Sequence, residues 1–232
     1  MDSNSISSAY KKSAQIALFR NVYLWMSMAL VITGLTALVI SDSPAVLSAI
    51  YSSKIVFYGL LFGELALVWY LSARINTLSF MTATTIFIIY SILNGVTLSF
   101  IFLVYTTDSI ASTFFVTAGT FGAMSLFGYI TKKDLTSIGS LCFMALIGLI
   151  IASIVNLFLH SEIMYWVITY AGVLIFVGLT AYDTQKIKRL LLAEGTEVNE
   201  STQKIALMGA LTLYLDFINL FLYLLRLFGS RK

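Results

Sequence analysis

The chain has 232 residues, of which 14 are Lys or Arg and 11 are Asp or Glu; 59% are apolar or aromatic and mean hydropathy is +0.93. Soluble domains run at about 25% charged, so a water-soluble enzyme is excluded, and with it a disordered or collagenous chain. A single Cys and a single His exclude an intrachain disulfide, a Cys-based metal cage and any multi-His site, and the scattered net charge of +3 offers no footprint for nucleic acid. An all-α polytopic membrane protein remains.

A spanning helix needs about 20 mainly apolar residues at about 1.5 Å each. Cutting the chain at charges and turn residues predicts seven spans. The first, about 21–40, ends at Ser41-Asp42-Ser43-Pro44, and the second, 55–73, lies between Lys54 and Arg74. The third, 78–105, carries no charge and stops before Asp108; the fourth, 110–130, ends at Thr131-Lys132-Lys133-Asp134. The fifth, 138–159, ends at His160-Ser161-Glu162, and the sixth, 163–184, meets Lys186, Lys188 and Arg189. The seventh, 205–225, ends with Arg226, Arg231 and Lys232. Residues 193–202 read as the one clearly polar loop. The whole of 1–232 is expected to form a single transmembrane domain, with the first span retained because its apolar run is too long for a cleavable signal.

Lys and Arg concentrate on the cytoplasmic side of membrane proteins. Lys11, Lys12, Arg20, Arg74, Lys132, Lys133, Lys186, Lys188, Arg189 and Lys204 fall on one side of the predicted topology, whereas the opposite loops hold only Lys54, beside Asp42, Asp108 and Glu162. The N-terminus is therefore predicted cytoplasmic. Arg226, Arg231 and Lys232 disagree, since an odd number of crossings puts them outside. Either the seventh segment does not cross or a short basic tail is tolerated there; seven crossings are favoured. The sequon Asn199-Glu200-Ser201 is then cytoplasmic and unused. Trp25, Trp69 and Trp166 lie toward span ends, as interfacial anchors do.

Three acids fall inside the apolar stretches: Glu64, Asp183 and Asp216. An intramembrane acid costs about 2.5–3.5 kcal/mol on insertion scales and marks a pathway or relay more often than a surface. Glu64 is ten residues from both Lys54 and Arg74, which puts it near the midplane. It is either bonded to a neighbouring helix or part of an ion path. Asp216 shares one helix face with Thr212, Asn219 and Tyr223. Helix–helix glue accounts for the other three, but Asn would serve as glue without an ionisation cost, so Asp216 reads as functional. Asp183 stands one turn before a basic cluster and reads equally as an interfacial ion pair. Two such acids sharing one proton resist joint ionisation. They would make a pH-sensitive gate and, when ionised, hard oxygen ligands for Ca²⁺. Helix depth alone does not pair them, because Asp216 lies about 11 residues into its span and Asp183 is shallow.

Weaker polar features read as structural. These are Tyr90, Asn94 and Thr97 on one face, Ser153 with Asn156, and Gly119, Ala123 and Gly128 as close-packing positions. His160 reads as solvated at a helix end. No nucleophile motif, glycine-rich dinucleotide motif or P-loop is present, so no catalytic residue and no enzyme is expected. Intramembrane aspartyl proteases also use two aspartates, but beside a glycine-containing motif; the neighbours here are Tyr182-Asp183-Thr184 and Leu215-Asp216-Phe217.

Three segments carry a resemblance. Residues 178–188 read GLTAYDTQKIK, residues 211–222 read LTLYLDFINLFL, and residues 131–139 read TKKDLTSIG. Together they closely resemble the Bax-inhibitor (TMBIM-type) membrane family, and the short termini suggest a bacterial member. The resemblance implies a seven-helix bundle with a central last helix, acting as a pH-sensitive calcium leak channel. It implies that Asp183 pairs with Asp216 as sensor and gate, and that Arg74, a lone basic residue in Leu71-Ser72-Ala73-Arg74-Ile75, is the latch candidate. Glu64, Thr212 and Asn219 are ion-pathway candidates. The expected partners are the bilayer of the plasma (cell inner) membrane, Ca²⁺ and protons. No cofactor is expected beyond Ca²⁺ as a transported or transiently bound ion. The competing readings are a non-conducting interaction protein that modulates a protease or stress pathway, and a proton-coupled transporter, for which no internal repeat is evident.

Overall fold

The structure, a computed structural model, describes residues 3–194 and 199–232, with side chains from Ile16 onward except at Tyr51. Lys11 and Lys12 of the orientation argument, and residues 195–198 of the predicted loop, lie outside what is described. In chain order the helices are α1 (Ser3–Ser41), α2 (Pro44–Ser52), α3 (Lys54–Arg74), α4 (Phe80–Leu98), α5 (Ile101–Val104), α6 (Thr107–Ile130), α7 (Thr136–Leu159), α8 (Glu162–Ala193) and α9 (Glu200–Phe228). Among the described residues the only strand-like pairing is an isolated antiparallel bridge between Tyr105 and Arg231.

Among the described residues, seven segments are long and apolar enough to cross a membrane: Ile16–Ser41, Lys54–Arg74, Phe80–Val104, Thr107–Ile130, Thr136–Leu159, Glu162–Ala193 and Glu200–Phe228. They match the seven read from the sequence, but several helices overrun the charge-defined cuts. A charge marks where a side chain reaches for water, and long basic side chains snorkel without ending a helix. The helix starts follow hydroxyl caps instead. The Oγ of Ser53 accepts from the Val56 N–H (3.4 Å), that of Ser79 from Thr82 N–H (3.2 Å), and Thr106 Oγ1 from Ser109 N–H (3.3 Å). The short α2 has no counterpart among the predicted spans. Pro44 at its first position, where the missing N–H costs nothing, accounts for its start.

The third span, expected over 78–105, is present as Phe80–Val104 but is interrupted within its length. The helix stops at Leu98 and resumes as the single turn α5. Ser99 causes the stop: its N–H is shared between the carbonyls of Gly95 and Val96, and its hydroxyl donates to Val96 O (2.6 Å). Such local bonding draws a carbonyl away from the helical ladder.

The chain packs as two compact units, Met1–Val104 with Arg189–Tyr214, and Tyr105–Lys188 with Leu215–Lys232. In the first, Gly95 of α4 lies so close to α1 that a methyl group there would meet the Thr33 carbonyl at 2.6 Å and the Thr36 Cβ at 2.7 Å. The ring of Trp25 meets Phe80 edge-on at 6.0 Å. Glu200, at the start of α9, accepts from the Phe80 N–H (3.1 Å) and pairs with Lys204 one turn on (3.1 Å). In the second unit, Phe114 and Phe121 of α6 each meet Phe217 edge-on at 5.4 Å, and Phe176 of α8 stacks on Tyr223 at 5.8 Å. Cys142 of α7 rests against Gly178 of α8, where an added methyl would meet the sulfur at 2.6 Å.

Burial differs sharply among the spans. In α9, 67% of the most apolar window is buried, against 11% in α7 and in α3. The outward residues of α7, such as Leu141, Phe143, Ile147 and Ile154, are apolar and half or more exposed. In lipid such exposure costs nothing, because acyl chains are as apolar as Leu.

Candidate functional site: two buried polar clusters

The second unit holds the aspartates. Asp183 on α8 and Asp216 on α9 bring their carboxyl groups to side-chain hydrogen-bonding range. Both are buried, at 9% and 5% exposure. The depth arithmetic that separated them in the sequence is corrected. Asp183 lies ten residues before the end of α8 at Ala193, not one residue inside a span ending at 184, and Asp216 lies sixteen residues after the start of α9. Both helices run past the charge-defined cuts, so residue counts from those cuts do not give the relative heights of the two aspartates. A carboxylate only accepts hydrogen bonds, so a hydrogen bond between these two carboxyl groups would need one of them to carry a proton. Asp216 Oδ2 is buried with no hydrogen-bond partner among the described residues. Lys186, one turn further on α8, is the cation that acts on Asp183.

The stretch of α8 around Asp183 is anchored to the α6–α7 link. The Oε1 of Gln185 accepts from the Leu135 N–H (2.9 Å), and its Nε2 donates to Lys133 O (2.9 Å). The Lys188 ammonium donates to Tyr129 O (2.7 Å) and lies 4.5 Å from the centre of that ring. Gly139 of α7 sits directly against the Tyr182 ring. Segments 131–139 and 178–188, which carry the resemblance separately, are thus one packed unit. Gly128 of α6 touches the backbone of Ala181, two residues before Asp183. Gly119, expected beside it as a packing position, has open space where a side chain would go, because the close approach occurs further along α6. Gly128→Ala is expected to lower stability by about 1–3 kcal/mol through overpacking, measured as reversible unfolding in detergent; a neutral result would show that α6 moves aside at no cost.

The candidates Thr212 and Asn219 bond within their own helix. Thr212 Oγ1 donates to Met208 O (3.0 Å) and Asn219 Nδ2 to Leu215 O (2.8 Å). The polar face of α9 is therefore no continuous network. Arg74, in the first unit, is exposed in the last turn of α3 and forms no ion pair among the described residues.

The first unit has its own polar cluster. Glu64 is ten residues from either end of α3 and 8% exposed. It accepts from the Thr97 hydroxyl and from Asn94 Nδ2 (3.4 Å), both on α4. The Tyr214 hydroxyl of α9 lies 3.2 Å from Asn94 Oδ1 and 2.7 Å from Thr33 Oγ1 of α1, itself 2.9 Å from the Ser91 carbonyl, so the two hydroxyl protons serve two of these three contacts at a time. Four helices share this cluster. The sequence marked Glu64 and the Tyr90-Asn94-Thr97 face separately; it did not mark Tyr214 or Thr33, since a buried Tyr or Thr in an apolar run looks like core.

Seven apolar spans with carboxyl groups buried between them define a polytopic α-helical membrane protein. Residues 15–232 match the family described as inhibitor of apoptosis-promoting Bax1 (Bax1-I), and the chain belongs to that family. It is 53% identical over 211 residues to inner membrane protein YbhL of Escherichia coli strain K12, covering 91% of this chain and 90% of that protein. An uncharacterized protein of Borreliella burgdorferi is 45% identical over 213 residues, covering 91% of this chain and 90% of that one. An uncharacterized membrane protein of Streptococcus pyogenes is 44% identical over 185 residues, with 79% and 78% covered.

Proposed function

We propose that this protein is a passive, pH-sensitive calcium leak channel of the inner membrane, gated by Asp183 and Asp216. The observation that carries the reading is the close approach of two buried carboxyl groups on neighbouring spans, near enough to act on each other, with Asp216 Oδ2 left unpartnered. While one proton is shared, the carboxyls hold α8 and α9 together. Raising the pH removes that proton, sets like charges against each other and loosens the helices. Two carboxylates supply four oxygens, fewer than the six to eight that Ca²⁺ takes, and among the described residues no third acid, His or Cys joins them in a cluster. The pair suits a passing ion, held briefly with water, over a resident one. Glu64, Thr212 and Asn219 stay pathway candidates in this reading, Arg74 a candidate latch, and the N-terminus is cytoplasmic.

The test is flux through liposomes containing purified protein and a calcium dye. Flux that rises with pH is expected; none at any pH would reject the reading. The family description favours one other reading, a non-conducting protein that inhibits a partner. It predicts the absence of flux.

A further inference from the structure

Three helix ends meet at one place in the second unit. The helix α7 ends at Leu159, α8 begins at Glu162, and α9 ends at Phe228. Between them lies a cavity of about 610 Å³ that Arg226, Arg231 and His160 share with Glu162. The cations are held in place. Arg226 stacks over the Tyr223 ring at 5.3 Å, and Arg231 Nη2 reaches the Tyr165 hydroxyl at 3.5 Å. The tail bearing Arg231 is fixed too: Ser230 O accepts from Thr106 N–H (3.1 Å), Ser230 N–H donates to Ser109 Oγ (2.8 Å), and Arg231 bridges Tyr105. Two Arg face a single acid here, so the cavity favours an anion. Arg is also the side chain whose planar fork matches a phosphate bidentately.

The level of the cavity indicates what brings that anion. Ends of spanning helices lie at the headgroup region, and Trp166 and Tyr165 line the cavity as interfacial aromatics do. Leu157 at its wall and Phe158 and Ile163 beyond it are 71%, 81% and 79% exposed, an apolar flank suited to acyl chains. A bound phosphate would also account for the C-terminal cations that the orientation rule leaves unexplained. We propose that Arg226 and Arg231 form a site for an anionic phosphate group at headgroup level, carried by an anionic phospholipid or taken up as free phosphate.

Native mass spectrometry of the full chain in detergent tests this, with phosphatidylglycerol, phosphatidylcholine and inorganic phosphate as probes. Phosphatidylglycerol is expected to bind at least about tenfold more tightly than phosphatidylcholine, an advantage lost in Arg226→Gln/Arg231→Gln. Glu162→Gln, which removes the opposing charge, is expected to tighten binding, a gain that a misfolded variant cannot show. Arg-dependent binding of phosphatidylglycerol that excess phosphate leaves intact supports the lipid as source; displacement by phosphate supports the free ion. Equal retention of the two lipids together with no Arg-dependent uptake of inorganic phosphate, unchanged binding of both probes in the double variant, or weaker binding in Glu162→Gln would each overturn the site, whether or not the protein conducts Ca²⁺.

Discussion

Asp216→Asn is expected to hold Ca²⁺ flux at its low-pH level throughout, so that the change with pH falls to within about twofold. The amide can donate to Asp183 without carrying a removable proton, so the contact between α8 and α9 persists as pH rises. What the variant loses is repulsion. Two like charges about 4 Å apart at an effective dielectric of about 20 repel by about 4 kcal/mol. At about 1.4 kcal/mol per tenfold, that is at most about a thousandfold in the open–closed equilibrium. Asp183→Asn should behave alike, because either residue alone supplies the missing charge. Parallel measurement of both variants and the native chain in vesicles of one lipid composition checks this. Flux and pH dependence left as in the native chain would remove the aspartate pair from the gate.

The largest loss of stability is expected from Tyr214→Ala, at about 3–5 kcal/mol, with Tyr214→Phe costing about 1–3 kcal/mol. Tyr214 is fully buried, and its ring meets Phe87 at 5.9 Å and Tyr90 at 5.8 Å, both edge-on. The transfer of apolar area from water contributes little inside a bilayer, whereas the dispersion attraction that an empty cavity forfeits counts in full. The hydroxyl adds the second part. Removing it takes a donor and an acceptor from between Asn94 Oδ1 and Thr33 Oγ1, both buried. Reversible unfolding in mixed micelles would separate the ring from the hydroxyl. Equal costs for Phe and Ala would mean that the hydrogen bonds alone hold the cluster.

Most of the membrane architecture was legible in the sequence because a bilayer imposes a length that charges delimit. Helix ends were not, since Lys186, Lys188 and Arg189 mark an exit from lipid while α8 continues to Ala193. Because α8 and α9 both run past their charge-defined cuts, counting from those cuts misjudged the height of Asp183 relative to Asp216. The motif resemblance pointed to the pair where depth arithmetic could not. The break after Leu98 was hidden because Ser99 sits in an apolar run, and what stops the helix is a hydroxyl bonding its own backbone. The Glu64 cluster was half visible. The i, i+4 and i+7 spacing put Tyr90, Asn94 and Thr97 on one face, but nothing local joins residue 94 to residues 64 and 214. Arg226 and Arg231 appeared only as an orientation anomaly, because a cavity made by three helix ends has no signature along the chain.

The contact between Cys142 and Gly178 has a practical side. The chain contains no other cysteine, and this thiol is half-buried where α7 meets α8, five residues before Asp183. The protein therefore carries a native reporter at the helix that bears half of the aspartate pair. Any separation of α7 from α8 uncovers the sulfur, and its rate of alkylation reads that separation without a label having to be engineered.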